Sequence, residues 1–255
     1  MIRLQTHALT LAVGERVLCR ELSIAFRAGE NWAILGANGS GKTTLLHTLA
    51  GLRAPATGRV TLDGRDLSNW PARERARALG VLFQDYALAF PASVRETVLT
   101  GRHPHLGRWA FESEDDRRLA RAALTAVGLR DVEARPLTTL SGGERRRVEI
   151  AAVLAQDPAV CLWDEPANHL DLRHQGEILL RLAERADRPG NVNLFVMHDV
   201  NAAVRLCSHT LMLFPGGETV AGPTPGIITC AALARVYGCG FDEIRHQNRH
   251  YYAPQ

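Results

Sequence analysis

A glycine-rich stretch at residues 36–43 has the spacing of a loop that binds polyphosphates, G-x-x-x-x-G-K-[ST]. An apolar run at 32–35 predicts a buried strand before it, and leucines at helical spacing follow it up to Gly51. Glycines allow a tight turn here, so consecutive backbone N–H groups can face phosphate oxygens. Lys42 would reach the β- and γ-phosphates, and the hydroxyl of Thr43 would ligate Mg²⁺. The residues of the loop are Gly36, Ala37, Asn38, Gly39, Ser40, Gly41, Lys42 and Thr43.

An accidental match in a glycine-rich turn is the alternative, and the flanking strand and helix argue against it. The loop therefore predicts nucleotide binding.

The length and composition of the chain limit the possible fold classes. The chain has 255 residues, 46% of them hydrophobic and 22% charged, which suits one large α/β domain or two small ones.

The net charge of +3 does not indicate a nucleic-acid binder, and the arginines at 145–147 are interpreted as a solvated helix face. Five cysteines, an odd number without a C-x-x-C pair, favour reduced thiols and a cytosolic location. No segment reaches the roughly 18 apolar residues of a membrane span, so a membrane would matter through a partner.

Strand and helix patterns alternate over most of the chain, which predicts an α/β fold with a mostly parallel sheet. The expected strands are at 2–13, 16–26, 59–64, 79–83, 160–163, 192–197 and 210–214. Between about 88 and 156 the patterns are helical only, at 94–99, 112–127 and 144–156, which indicates a helical insertion. Residues 223–255 show no clear pattern.

Asp164 and Glu165 follow directly on the apolar run 160–163. At the carboxyl end of a parallel strand both acids would project toward the ligand crevice. One carboxylate beside Mg²⁺ and a second that activates water form a complete pair for phosphoanhydride hydrolysis. Paired acids at a strand end also serve as helix N-caps, and the phosphate loop is what favours the catalytic interpretation.

His198 and Gln84 end two further apolar runs, at 192–197 and 79–83. On the same sheet edge as the phosphate loop, the amide of Gln84 could reach the metal or the attacking water. A lone histidine at a strand end is more often structural, and its place on this edge favours a functional role.

Ser141 and Glu144 have the spacing of a capping box that opens a helix running to about Gln156. Between them, Gly142 and Gly143 leave the N–H groups of the first turn free of side chains, which makes the helix start a second anion site. A well-capped helix with no further role is the alternative. Beside a phosphate loop, the pattern indicates a clamp with two sides.

Together these motifs resemble those of the ATP-binding subunits of ATP-binding cassette (ABC) transporters, in order and over about residues 1–229. The resemblance implies that 36–43 is the Walker A loop, that 140–144 is the signature motif and that 168–171 is the D-loop. The implied catalytic groups are Glu165, His198 (the switch histidine), Gln84 (the Q-loop glutamine) and Lys42. The implied metal ligands are Thr43, Gln84 and Asp164. The implied nucleotide-binding residues are those of the loop, Thr44, Ser141, Gly142, Gly143 and Asp171.

The resemblance also implies a P-loop NTPase core with a mostly parallel sheet, an antiparallel β subdomain and a helical insertion. Residues 1–229 would form the nucleotide-binding domain, with the helical subdomain at about 88–156, and 230–255 a short C-terminal extension. The cofactors would be ATP and Mg²⁺. Two copies would form a head-to-tail homodimer in which residues 141–143 of one copy close on the ATP of the other.

The chain departs from the family pattern at three positions. Glu144 replaces the usual glutamine of the signature, and Ala167 replaces a frequent threonine or serine; neither predicts a loss of hydrolysis. Val13 lies where an aromatic residue usually stacks on adenine. Looser nucleotide binding is expected, since base–aromatic stacking is worth on the order of 1–3 kcal/mol.

Residues 90–98 with 101–105, and 167–172 with His174, resemble the ATPases of importers for iron–siderophore, haem and cobalamin. The expected partners are a membrane permease that docks near residues 85–110 and, through it, a periplasmic or surface substrate-binding protein. The expected location is peripheral, on the cytoplasmic face of the cell membrane. No nucleic-acid partner is expected.

Two other classes stay open. One is a soluble ABC ATPase that acts on ribosomes or DNA, which usually carries two cassettes or a long coiled coil; the chain has one cassette and no heptad run. The other is a nucleotide-binding regulator without turnover, which the presence of Glu165 and His198 disfavours.

Overall fold

The computed structural model describes residues 1–84, 92–107, 110–247 and 249–255, and these form two compact units. The first unit joins residues 1–70 to 183–255, and the second comprises 71–182. Of the helical insertion expected at about 88–156, residues 88–91 and 108–109 lie outside the described residues. Within the described residues, no helix combines the length and the apolar character needed to cross a membrane.

The first unit is built from strands at both ends of the chain, with one α-helix in its N-terminal part and three α-helices in its C-terminal part among the described residues. They are β1 (Ile2–Val13), β2 (Arg16–Leu22), β3 (Ala25–Arg27), β4 (Asn31–Gly36), α1 (Lys42–Leu49), β5 (Thr57–Leu62), β6 (Arg65–Asp66), β9 (Val192–Val196), α7 (Val200–Leu206), β10 (His209–Leu213), β11 (Thr219–Pro223), α8 (Thr224–Ile227), α9 (Cys230–Tyr237), and the C-terminal pair β12 (Phe241–His246) and β13 (Arg249–Pro254).

An antiparallel sheet in the order β2-β1-β5-β6 confirms the expected antiparallel part of the fold. The segment predicted as one strand at 16–26 forms two strands, β2 and β3, which pair with different parts of β1. The reason lies in β1, where Ala8 has φ 44° and the buried positions change from Leu4 and Thr6 to Leu9 and Leu11. Such an irregularity bends the strand and changes its pairing.

Parallel strands carry the centre of the first unit. β4 pairs in parallel with β9 and with β10, and β11 adds an antiparallel edge. All five residues of β9 are buried, as are the last five of β4. Strands covered on both faces read as continuous apolar runs, and this is why the sequence predicted them.

The second unit contains two parallel strands and the helices of the insertion. Its elements are α2 (Ala72–Ala78), β7 (Leu79–Leu82), α3 (Val94–Leu99), α4 (Glu114–Ala126), α5 (Gly142–Gln156), β8 (Val160–Asp164) and α6 (Leu172–Ala183), the last of which ends at the unit boundary. α5 packs against α3, α4 and β7. The helices expected at 94–99, 112–127 and 144–156 are thereby confirmed to within two residues at each end.

Serine capping boxes open three helices of the second unit. Ser93, Ser113 and Ser141 each accept a hydrogen bond from the backbone N–H three residues on, and each donates its own backbone N–H to the acidic side chain at that position. Each box satisfies two backbone N–H groups that a helix start leaves without a partner. The capping box predicted at Ser141 and Glu144 is therefore present.

The segment after residue 222, which had no clear sequence pattern, forms α8, α9 and the hairpin β12–β13. The hairpin is attached to α7 through Asn201, whose side chain donates to the carbonyl of Tyr252 at 3.1 Å and accepts its N–H at 2.8 Å. The hydroxyl of Tyr252 donates to the carbonyl of Ile228 at 2.9 Å. Most hairpin residues are exposed, so their sequence does not show the regular spacing of apolar residues that a buried face would require.

Candidate active site

The phosphate loop joins β4 to α1, as its spacing predicted. Gly41, the residue before the helix, has φ 102°, a conformation that favours glycine. A Cβ there would lie 2.9 Å from the Cβ of Leu18, so the backbone passes closer to Leu18 than a side chain would allow. The loop thus requires glycine at this position for its shape.

The start of α1 suits an anion. No side chain caps it, whereas α3, α4 and α5 all begin with serine capping boxes. Its first-turn N–H groups and the helix dipole present partial positive charge to the loop. A phosphate group fits this helix start, because it supplies the acceptors that a capping side chain supplies elsewhere.

Lys42 is held at the loop itself. Its Nζ donates to the carbonyls of Gly36 at 2.9 Å and Ala37 at 3.1 Å, and the residue is only 6% exposed. It is the only lysine of the chain, whose other 29 cationic side chains are arginines (30 Lys and Arg in total). A compact ammonium on a flexible stem fits a narrow loop better than a planar guanidinium. Thr43 and Thr44, the next two residues of α1, are partly buried.

His198 lies on the same edge of the sheet as the loop. In the parallel pair of β4 and β9, Ile34 is opposite Val196, so the loop and His198 both follow the carboxyl ends of adjacent strands. His198 is exposed, and Asp199 beside it caps α7 by accepting the N–H groups of Asn201 and Ala202 at 2.8 and 3.1 Å. The structure therefore brings together two of the predicted groups within the first unit.

Val13 ends β1 with 48% of its surface exposed. Its side chain is thus on the surface of the first unit and is available to a ligand.

Gln84, Asp164 and Glu165 form a second group, in the second unit. In the parallel pair of β7 and β8, Leu82 is opposite Trp163, so both strands end at one edge, with Gln84 exposed after β7. Asp164 is fully buried and Glu165 is 8% exposed. A carboxylate, an amide oxygen and a hydroxyl are the hard oxygen donors that Mg²⁺ prefers, so the chemistry of Asp164, Gln84 and Thr43 fits this ion.

Glu165 has an unusual backbone. Its φ of 47° is in the left-handed region, which costs a non-glycine residue on the order of 1–3 kcal/mol. Asn168 contacts it twice, since its N–H donates to the carbonyl of Glu165 at 3.2 Å and its side-chain amide donates to the carboxylate. Strain of this kind persists where the surroundings fix the residue, and it is common at reactive sites.

One arginine at this site differs from its prediction. The sequence predicts a solvated helix face for Arg146, but the residue is 3% exposed and its guanidinium donates to the carbonyls of Phe83, Asp164 and Glu165. The prediction is wrong for Arg146 and correct for Arg145, which is exposed; Arg147 is partly buried. Helical periodicity gave the missing signal, because Arg146 lies four residues before the buried Ile150.

The signature residues lie at the start of α5. Glu144 accepts the N–H of Ser141 at 2.8 Å, and this hydrogen bond is the largest cause that lowers the pKa of Glu144. The cap engages the N–H of Glu144, so Gly142 and Gly143 supply the first-turn donors that the cap does not use. A Cβ on Gly143 would lie 2.8 Å from the carbonyl oxygen of His169, which places the signature against the predicted D-loop.

Asp171 begins α6 as a capping residue. Its carboxylate accepts the backbone N–H of His174 at 2.9 Å, which is the main cause that lowers the pKa of Asp171, and it also contacts the imidazole of His174 at 2.8 Å. A direct role of Asp171 in nucleotide binding stays a prediction.

Comparison with known proteins shows the family of the chain. The model of the family described as ABC transporter matches residues 19–168. The ferric enterobactin transport ATP-binding protein FepC of Escherichia coli (strain K12) is 37% identical over 236 residues, covering 92% of this chain and 87% of FepC. The hemin import ATP-binding protein HmuV of Pseudomonas entomophila (strain L48) is 40% identical over 240 residues, 92% of each chain.

Solved structures give the same result. A chain of an inward-facing ABC transporter assigned to the metal-chelate type superposes with a TM-score of 0.86 at 26% identity, covering 100% of this chain and 98% of the other. A dimeric ATP-binding cassette bound to ADP and phosphate gives 0.77 at 26% identity, with 87% and 98% covered.

Fold and site thus define a P-loop ATPase of the ABC type. The chain belongs to the ABC transporter family, and ATP is the nucleotide that members of this family bind. The predicted fold class is confirmed.

Proposed function

We propose that the chain is the ATP-hydrolysing subunit of a transporter that imports a metal chelate, such as an iron–siderophore, haem or cobalamin, through a membrane permease. The observation that carries this is its identity of 37% to FepC and 40% to HmuV over 92% of the chain, since FepC is named for the transport of ferric enterobactin and HmuV for the import of hemin. A siderophore transport ATP-binding protein of Bacillus subtilis (strain 168), YusV, is 35% identical over 93% of the chain.

The residues of the first unit bind the triphosphate in this proposal. The N–H groups of the loop and of the start of α1 receive phosphate oxygens, as the uncapped helix start supports. Lys42 neutralises charge on the β- and γ-phosphates, and His198 stabilises the γ-phosphate as its charge develops. Val13 offers the adenine ring of ATP no aromatic side chain to stack on.

Glu165 is the general base. Its carboxylate accepts a proton from the attacking water, whose oxygen bonds to the γ-phosphorus while the bond to the β-bridging oxygen breaks, giving ADP and phosphate. Asn168 orients this carboxylate, which the contact between their side chains supports. Thr43, Gln84 and Asp164 would hold the Mg²⁺, which when bound neutralises phosphate charge and aligns the phosphate oxygens.

The second anion site belongs to a partner copy. In a head-to-tail homodimer, Ser141, Gly142 and Gly143 of one copy face the nucleotide of the other, and Asp171 lies in the adjoining D-loop. The glycine-rich start of α5 supports this role, and so does the dimeric form of the related cassette with ADP and phosphate.

The permease docks near residues 85–110, of which 85–91 and 108–109 lie outside the described residues. The chain is peripheral on the cytoplasmic face of the membrane, and a substrate-binding protein delivers the chelate to the permease. A soluble ATPase of ribosomes or DNA and a regulator without turnover are not favoured, since the relatives above are named as transport or import proteins.

The decisive experiment reconstitutes the chain in vesicles with a candidate importer permease from the same genome, and adds a binding protein loaded with a ferric siderophore, haem or cobalamin. ATP hydrolysis and chelate uptake should both rise with the loaded binding protein, and Glu165→Gln should assemble without either activity. Failure to assemble with the permease, or co-purification with ribosomes, would contradict the proposal.

A further inference from the structure

Arg146 connects three backbone segments of the second unit. Its Nη1 donates to the carbonyl of Phe83 at 2.6 Å, and its Nη2 donates to the carbonyls of Asp164 and Glu165 at 2.5 and 3.0 Å. Phe83 immediately precedes Gln84. One guanidinium thus contacts the backbone of Asp164 at the end of β8, of Glu165 after it, and of the residue that precedes Gln84.

The charge of Arg146 is compensated locally. Its Nη1 also lies 2.9 Å from the Oε2 of Glu149, one helical turn further along α5, and the side chain of Arg146 is 3% exposed. A buried cation is costly unless it is paired and hydrogen-bonded, and several acceptors on one rigid fork meet that requirement. An apolar side chain would fill the same volume without the cost of burying a charge. The presence of an arginine here therefore indicates a geometric role.

Glu165 is the residue that needs such a constraint. Its left-handed backbone, with φ 47°, sets the direction in which its carboxylate leaves the chain. Asn168 contacts the carboxylate and the carbonyl from one side, and Arg146 holds the carbonyl from α5. The helix that carries Arg146 begins at Gly142, directly after its capping residue Ser141, so a movement of the signature would reach Glu165 through α5 and this guanidinium.

We infer that Arg146 is a positioning residue for hydrolysis: its guanidinium fixes the backbone of Glu165 and of the segment that bears Gln84, and thereby couples the signature helix to the general base. The inference rests on the proposed function, in which Glu165 is that base. It concerns the rate of the chemical step, because none of these hydrogen bonds involves the phosphate loop.

The test compares Arg146→Gln and Arg146→Lys with the unchanged full-length chain in steady-state and single-turnover ATP hydrolysis. Arg146→Gln should lower kcat by about 10–100-fold, the effect of a small misplacement of a reacting group, with the KM for ATP unchanged. Arg146→Lys keeps the charge but has one nitrogen in place of the two that donate to Phe83 and to the pair Asp164 and Glu165, so its kcat should be intermediate. A loss confined to KM, or equal kcat in all three proteins, would overturn the inference.

A fold defect needs a separate control. Asp116→Asn removes the partner of another buried arginine of the same unit, Arg102, whose Nε lies 2.8 Å from the carboxylate. This variant should lose stability and keep kcat per folded molecule. If Asp116→Asn lowers kcat as much as Arg146→Gln does, the effect is general and the positioning role is wrong.

A double variant distinguishes this inference from the proposed function. If Arg146 acts through Glu165, Arg146→Gln should cause little further loss of single-turnover rate in a Glu165→Gln background. If each substitution keeps its full effect on the single-turnover rate, so that the two losses multiply in the double variant, the coupling is overturned. If the single variant Glu165→Gln hydrolyses ATP at the normal rate, the assignment of the base fails. If Glu165→Gln is impaired and the single variant Arg146→Gln is normal, the positioning role fails and the base assignment stands.

Discussion

The side-chain amide of Asn168 donates a hydrogen bond to the carboxylate of Glu165, three residues before it. The same asparagine donates its N–H to the carbonyl of Glu165 at 3.2 Å. A glutamate held both at its carboxylate and at its backbone has few orientations available, and a general base loses rate when its orientation is lost. This contact is therefore the structural basis of the first prediction.

Glu165→Gln should lower the rate of ATP hydrolysis by about 10²–10⁴, the usual contribution of a general base, and leave ATP binding intact. The amide has the shape of the carboxylate but does not accept the proton of water. Hydrolysis and equilibrium ATP binding are measured on the same preparation. Glu177→Gln is the matched control, since Glu177 is a solvent-exposed carboxylate of the same unit paired with Arg173. Normal turnover in Glu165→Gln would identify another base.

Lys42→Ala should weaken ATP binding by about 1.5–3 kcal/mol or more, the worth of charged hydrogen bonds that it removes. Because Lys42 is the only lysine, amine-reactive labelling reports on this residue and the N-terminus alone, and ATP should protect it. Arg20→Ala, which removes an exposed cation of the same unit, should leave binding unchanged. Wild-type affinity in Lys42→Ala, or labelling that ATP does not slow, would refute the role of the loop.

Val13→Trp should tighten ATP binding by about 1–3 kcal/mol by adding an aromatic face for the base. Val13 is 48% exposed, so the larger side chain meets little steric resistance. The affinity is measured for ATP and for inorganic triphosphate, which has no base, and only the affinity for ATP should increase. Val220→Trp, at a position 39% exposed in β11, serves as the control. An equal gain with both ligands would rule out stacking.

Periodic segments of this fold could be predicted from the sequence, and residues fixed by single contacts could not. The apolar runs of β4 and β9 and the serine cap of α5 are local patterns, so the phosphate loop and the signature followed from them. The burial of Arg146 depends on carbonyls 18, 19 and 63 residues away in the sequence. Likewise, the hairpin β12–β13 is attached through Asn201, and no local pattern records that contact.

Asp116 should contribute stability that depends on pH. Hydrogen bonds from Ser113, then from Arg102, lower its pKa from 3.8 to about 2. A lowered pKa in the folded state means that the stabilisation is present above pH 3.8 and is lost as the pH falls toward 2. Asp116→Asn should therefore lower the free energy of unfolding by about 1–2 kcal/mol at pH 7.

The measurement is denaturant unfolding of both proteins between pH 7 and about pH 2, and the difference between them should vanish at the acid end. Asp115→Asn is the control, because Asp115 is its exposed neighbour and pairs with Arg118 on the surface. A difference that stays constant with pH would show that the lowered pKa is not the cause.

Gly143→Ala should disturb the contact between the signature and the D-loop. The added Cβ would lie 2.8 Å from the carbonyl oxygen of His169, and a backbone atom cannot move aside as a flexible side chain can. His169 has φ 65°, so the segment that would have to shift is already in an unfavourable conformation. We expect Gly143→Ala to weaken ATP-dependent dimerisation, which is measured in the Glu165→Gln background by sedimentation.

Gly176→Ala provides the contrast for this variant. Gly176 lies inside α6, and a Cβ added there would meet nothing within 4 Å, so alanine should stabilise the helix by roughly 0.5–1 kcal/mol. It should dimerise like the unchanged chain. If Gly143→Ala dimerises equally well, the signature does not need close approach at this glycine, and the second side of the clamp must be formed by other residues.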